Sequence, residues 1–205
     1  MPRLRGYRRG AGSLSVQRRA AMSEDVTDLI MQDHREVETL FEKLELEPEV
    51  RAGLTPVLVT LLSAHSRAEE AEVYPVARDE AGEAEDVAHS QEEHLLADRL
   101  LAELSECDPY STAYENKLAE VVDAVSHHVE EEEKTVLPGM RDRLDDARRA
   151  ELGQAFLKSR QEHLGEMPQD ITRDEMRRQA ANADIPAGDK DKEALRRELD
   201  QHADS

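Results

Sequence analysis

The sequence predicts an all-α protein: an up-down-up-down four-helix bundle with an extra C-terminal helix and a small helical appendage. Three observations predict it. Charged residues make up 36% of the 205-residue chain, while Gly numbers 9, Pro 8 and aromatics only 3%, a balance that favours long helices over sheet. Apolar residues recur at alternating steps of four and three in four successive segments. Two of those segments also repeat one another.

The elements follow in order. Residues 1–23 hold six Arg and no acid and lack a hydrophobic segment of signal-peptide type, so a disordered basic tail is expected. Met22 then opens "MSEDVTDLIMQDH", with Ser23 placed to cap a helix, and translation could equally begin there. The first helix runs from about Asp25 to Glu45 and stops near Pro48. Thr55 and Pro56 make a cap and first turn for the second, which Pro75 should break or kink. Gly82 marks a turn, and the third helix spans about Glu83 to Ser105. Asp108 and Pro109 repeat the cap pattern for the fourth, which closes before Pro138. A fifth, weaker helix is expected over Asp142 to Glu166, so that 24–165 reads as one bundle and 168–205 as a small separate module.

Charge and apolar content limit the function. The chain carries −20 overall, and residues 24–167 concentrate this with 14 basic against 37 acidic side chains, which should repel nucleic acid and anionic membranes. The longest apolar stretch, "LTPVLVTLL", is far too short to cross a bilayer. Cys107 is the only cysteine, which excludes an internal disulfide and fits a cytoplasmic location.

Each helix aims a histidine along its apolar stripe. Ile30, His34, Val37, Phe41 and Leu44 share one face; Leu58, Leu62, His65 and Glu69 share the next. Val87, Ser90, His94, Ala97, Leu101 and Leu104 follow, then Leu118, Val121, Val125, His128 and Glu132. "HSRAEEAEVYP" from His65 and "HVEEEEKTVLP" from His128 share H-x-x-x-E-E-x-x-V-x-P. The first and third helices echo more faintly, with an acid directly before His34 and His94. Antiparallel neighbours place His34 and His65 each about 15 Å from their shared turn at about 1.5 Å per residue. The four histidines therefore meet at broadly one level, with the match looser for His128.

Taken singly, an inward histidine is more often a hydrogen-bonded core residue than a ligand. Four of them with two inward glutamates point instead to cations, because an unpaired buried carboxylate costs several kcal/mol or protonates. Glu131 and Glu133 read as a solvated face. Glu70 and Glu133 recur between the two halves, and solvent exposure is expected for them over a role supporting the ligands or replacing one. His127 is out of phase with His128, His89 lies off the stripe, and Tyr74 reads as packing, with His127 and Tyr74 kept as further supporting or alternative ligands. Imidazole and carboxylate without thiolate disfavour structural zinc and suit iron, with manganese less favoured.

These segments resemble the hemerythrin-like HHE cation-binding domains over residues 24–165. "QDHREVETLF", "HSRAEEAEVYP", "QEEHLLADRLL" and "HHVEEEEKTVLP" are similar to that family's four ligand-bearing segments. The resemblance implies two iron ions, bridged by oxo or carboxylate groups, on His34, His65, Glu69, His94, His128 and Glu132. It implies a protein that binds, senses or redox-reacts with O2, NO or peroxide, as a weak oxidoreductase if it is an enzyme, with a redox partner. The oxygen carriers have a second histidine one turn from the first on the third helix, where this chain has Ser90 and Asp98, so simple oxygen carriage is in doubt. Their fourth helix uses an Asp five residues past its histidine, where this chain has Glu133, with Glu132 at four. The Glu-x-x-His motif of ferritin-like bundles is missing, since Leu62, Gln91 and Val125 precede the histidines. Iron storage without small-molecule chemistry is the alternative.

Residues 172–199 open on a Thr172 to Glu175 capping box, break at Pro186 and Gly188, and resume at Asp191. They resemble the helix-extended-helix modules of Rho N-terminal-domain and SAP-like type, some of which bind nucleic acid. Arg177, Arg178, Arg196 and Arg197 would be the contacts, although residues 168–205 hold seven basic against ten acidic side chains. A DNA-associated protein controlled by its di-iron bundle is the second alternative.

Overall fold

The computed structural model describes residues 25–203; the expected basic tail, with Met22 and Ser23, lies outside the described residues. Among those described there is no strand. Helix α1 spans Val26–Leu46, α2 Arg51–Ala68, α3 Ala84–Glu106, α4 Thr112–Lys134, α5 Val136–Arg143, α6 Asp146–His163, α7 Arg173–Asn182 and α8 Lys192–Ala203. The first four are the bundle, and α6 packs back across α1 and α2.

Asp25 caps α1 by accepting from the Thr27 amide at 3.0 Å, and its other oxygen pairs with Arg149 of α6 at 2.7 Å. Gly82 closes the second helical run in the left-handed region at φ 80°, where a side chain would be strained. Thr172 and Glu175 form the reciprocal capping box of α7, and Asp191 accepts from the Ala194 amide ahead of α8.

Three boundaries differ from expectation, and Pro75 disturbs the second helix without ending it. The second helix begins at Arg51, so Thr55 and Pro56 lie inside it. Arg51 is buried and anchored by Leu44 O at 2.9 Å, Pro109 O at 3.4 Å and Glu115 at 3.2 Å; these tertiary acceptors extend the helix upstream. Thr55 instead donates to or accepts from Tyr114 Oη at 2.6 Å. Pro75 does not break the chain, which stays helical through two wide turns, Glu69–Val73 and Ala77–Ala81, around Tyr74–Val76. Proline denies its carbonyl partner four residues back a hydrogen bond, and a wide turn accommodates the mismatch. Ser111, not Asp108, caps α4. The fifth helix is two, because Leu144 is extended and Asp145 starts α6 by capping Arg148 N at 2.8 Å.

The core divides into two apolar layers. One holds Val26, Ile30, Val73, Tyr74, Val87, Leu137, Met140 and Phe156. The other holds Val37, Phe41, Leu44, Leu58, Leu101, Leu104, Tyr114 and Val121. A polar layer that includes every inward histidine lies between them. Ile171, Met176, Ala180, Ile185, Leu195 and Leu199 form a third cluster that rests on Leu95 of α3.

Candidate metal centre

His34, His65, Glu69, His94, His128 and Glu132 come together in the polar layer, none more than 5% exposed and both glutamates at 0%. Each histidine turns Nε2 inward. His65 Nε2 is 3.2 Å and His94 Nε2 3.4 Å from the same oxygen of Glu69, so this carboxylate spans the two halves of the bundle. His34 Nε2 stands 3.4 Å from Glu132 Oε2. His94 and His128 bring their Nε2 atoms to 3.1 Å of each other.

The outward nitrogens explain why the rings point this way. Nδ1 of His65 meets Asp33 at 3.1 Å, Nδ1 of His94 meets Glu70 at 3.4 Å, Nδ1 of His128 meets Glu93 at 2.9 Å, and Nδ1 of His34 meets Glu133 at 2.9 Å. The arrangement is a closed ring: α1 supplies the carboxylate for the histidine of α2, the turn after α2 for α3, α3 for α4, and α4 for α1. A carboxylate accepting from Nδ1–H sets the neutral ring's tautomer and leaves the Nε2 lone pair facing inward, as it does behind metal-bound histidines. Two of the four are paired in turn with an arginine, Asp33 with Arg160 at 2.8 Å and Glu133 with Arg35.

The buried charges are unbalanced without a cation. All four oxygens of Glu69 and Glu132 lack a hydrogen-bond partner, as does His34 Nε2; buried polar atoms rarely go unpaired. Burial alone would depress His65, but the Glu69 and Asp33 carboxylates outweigh it and lift the imidazole to about 10. His94 is lifted to about 10 in the same way, with Glu69 and Glu70 overcoming burial. Burial would raise Glu69, yet the two imidazoles hold it well below the usual carboxylate range. His128 is pushed down by burial and then by the charge of His94. Protons on His65 and His94 thus supply positive charge among carboxylates, a role that a divalent ion would fill at the same nitrogens.

The other anticipated residues divide. Glu70 is buried at 3%, which corrects the expectation of solvent exposure. The wide turn at Glu69–Val73 alters the phase of a strict helix, and Gln91 at 2.8 Å and Gln179 at 3.1 and 3.2 Å donate to the Glu70 carboxylate. Glu133 is half-buried rather than fully solvated. Tyr74 is fully buried, with its hydroxyl 3.1 Å from His94 Nε2. His127 is exposed and lies outside the buried group. Asp33, Glu93 and Gln179 were not anticipated; the acids before His34 and His94 were the available signal for the first two. Arg178, Arg196 and Arg197 are exposed, while Arg177 is half-buried and donates to Gly188 O at 3.2 Å.

A family model, the hemerythrin HHE cation-binding domain, matches residues 25–140. The chain belongs to the hemerythrin HHE family. It is accordingly a metal-binding helical domain, and no helix among the described residues is long and apolar enough to cross a membrane. The HHE match ends before α6, yet α6 contributes Arg160 behind Asp33 and Phe156, whose ring stands edge-on to His65 at 5.8 Å. A DNA nickase of Nostoc sp. is 28% identical over 135 residues, which is 65% of this chain and 38% of that protein. The chain therefore covers well under half of that relative. No solved structure matches. Elsewhere in the HHE chain, His163, Glu166 and Glu175 also cluster, but Arg67 reaches both carboxylates and already supplies the positive charge.

Proposed function

We propose that this HHE chain is a non-haem di-iron protein that binds, senses or redox-reacts with O2, NO or peroxide. His34, His65, Glu69, His94, His128 and Glu132 would hold the two iron ions. The observation that carries the reading is the convergence of the His34, His65 and His94 Nε2 atoms on the fully buried Glu69 and Glu132 carboxylates, with His128 Nε2 beside that of His94. Iron bound there supplies one-electron redox chemistry and an open position for a small ligand.

The chain's own residues orient and enclose that chemistry. Asp33, Glu70, Glu93 and Glu133 hold the four rings, and Phe156 packs edge-on against His65. A cavity of about 20 Å³ touches all four histidines and is otherwise walled mainly by Val37, Leu62, Ala97, Leu101, Val125 and Val129. That volume suits one water-sized or diatomic molecule, and its apolar wall favours a neutral one. Tyr74, whose phenol burial and then Glu69 push well above its usual range, keeps its proton beside His94.

Metal analysis with absorption spectroscopy of aerobically purified protein tests this reading. Two irons per chain and a charge-transfer band that changes with azide, peroxide or nitric oxide are expected. Loosely held iron without such a response would favour storage, and unchanged iron content in His65→Leu/His128→Leu would overturn the assignment.

One contact favours a second reading, a DNA-associated protein whose bundle governs the C-terminal segment. Gln179 and Asn182 of α7 hold Glu70 and Gln91 beside His94, so α7 touches the ring of supporting carboxylates, and the Nostoc relative is named for DNA. Duplex binding that depends on iron and is lost in Arg178→Glu/Arg196→Glu/Arg197→Glu would support it. A chain that ignores duplex at low salt would exclude it.

A further inference from the structure

Two histidines left off the inward stripes meet on the surface. His89 on α3 and His127 on α4 are exposed, and both face Glu93. His89 and Glu93 stand one turn apart and so share a face of α3; His127 reaches across from α4. His89 Nε2 lies 3.5 Å and His127 Nε2 3.6 Å from Glu93 Oε1, and all three donor atoms fall within 4.8 Å of one another.

Glu93 distinguishes this group from a chance pair of surface imidazoles. Its side chain is only 10% exposed, and Oε2 is engaged inward with His128 Nδ1 at 2.9 Å. Oε1 is shut off from solvent yet accepts no hydrogen bond, and it is turned toward the two imidazoles. A tetrahedral ion with bonds of about 2.0–2.1 Å sets its donors about 3.3 Å apart, close to the two distances found.

We propose that His89, Glu93 and His127 form a solvent-facing site for a divalent transition-metal ion, separate from the buried centre and joined to it through Glu93. Two imidazoles and one carboxylate suit Zn²⁺, Co²⁺, Ni²⁺, Cu²⁺ or Fe²⁺, whereas Ca²⁺ and Mg²⁺ take oxygen ligands. Three protein ligands leave at least one position for water. Because the other oxygen of Glu93 orients His128, occupancy outside bears on a ring inside. Binding at this outer site does not require that the buried residues hold iron.

Titration of the full chain with Co²⁺, whose visible absorption reports tetrahedral nitrogen and oxygen coordination, tests the proposal. We expect a component of one ion per chain in the wild type that persists in His34→Leu/His65→Leu. In His89→Ala/His127→Ala its affinity should fall by at least roughly 100-fold, beyond what loss of a supporting partner produces, with the melting temperature unchanged because both residues are exposed. Survival of that component in the alanine pair overturns the proposal. So does its loss in the leucine pair, which would assign the ion to the buried centre. A Zn²⁺ titration followed by imidazole ¹⁵N shifts decides without any buried substitution: joint movement of His89 and His127 supports the site, and unmoved signals overturn it. Iron content, read separately, judges the buried centre.

Discussion

Replacing Glu132 by Gln should move stability in opposite directions with and without metal. The carboxylate is 0% exposed, and neither oxygen has a hydrogen-bond partner. An ion so buried costs several kcal/mol, whereas an amide of the same shape costs about 1–3 kcal/mol. The metal-free variant should therefore gain about 2 kcal/mol, or roughly 4–8 °C in Tm for a domain of this size. Iron at about a thousand times its Kd adds about 4 kcal/mol to a protein that binds it, an increment the variant should largely lose with one of the two proposed carboxylate ligands neutralised. Calorimetry of chelated and iron-reconstituted protein reads both effects. A chelated variant that melts at or below the chelated wild type would refute the idea that Glu132 is held against its own desolvation for the sake of a cation.

Three further outcomes are expected. Gln179→Ala removes both hydrogen bonds from α7 to the Glu70 carboxylate and should cost about 2–3 kcal/mol, read as a fall in denaturation midpoint. Phe156→Ala empties a fully buried ring site against His65 and should cost about 3–5 kcal/mol, with iron content falling alongside. Although burial would raise Asp25, its bonds to Arg149 and Thr27 outweigh this and lower its pKa in the folded chain from 3.8. The stabilisation is therefore complete above the unfolded value and disappears as pH falls through the folded one. Asp25→Ala should lose about 1 kcal/mol at neutral pH, as a partly exposed cap and ion pair allow, and the gap to wild type should close below about pH 4; an equal gap at pH 3 would contradict this.

The inward set was legible in the sequence because a helix fixes the relative directions of its own side chains. His65 with Glu69, and His128 with Glu132, point together by spacing alone, and the apolar stripes turn them toward the core whatever packs there. Asp33 and Glu93 were visible as acids beside His34 and His94, but each is about 100° from its neighbour on the helix. They therefore serve the histidine of the next helix, His65 or His128, and which helix lies next is not written in any one of them. Arg51 starts its helix early because acceptors at Leu44, Pro109 and Glu115 surround it, all outside the second helix. Glu70 is buried because a wide turn rephases it and α7 arrives, more than a hundred residues later, to donate to it. Periodicity belongs to a single helix and can be read locally; burial and pairing belong to its neighbours, and only the assembled bundle decides them.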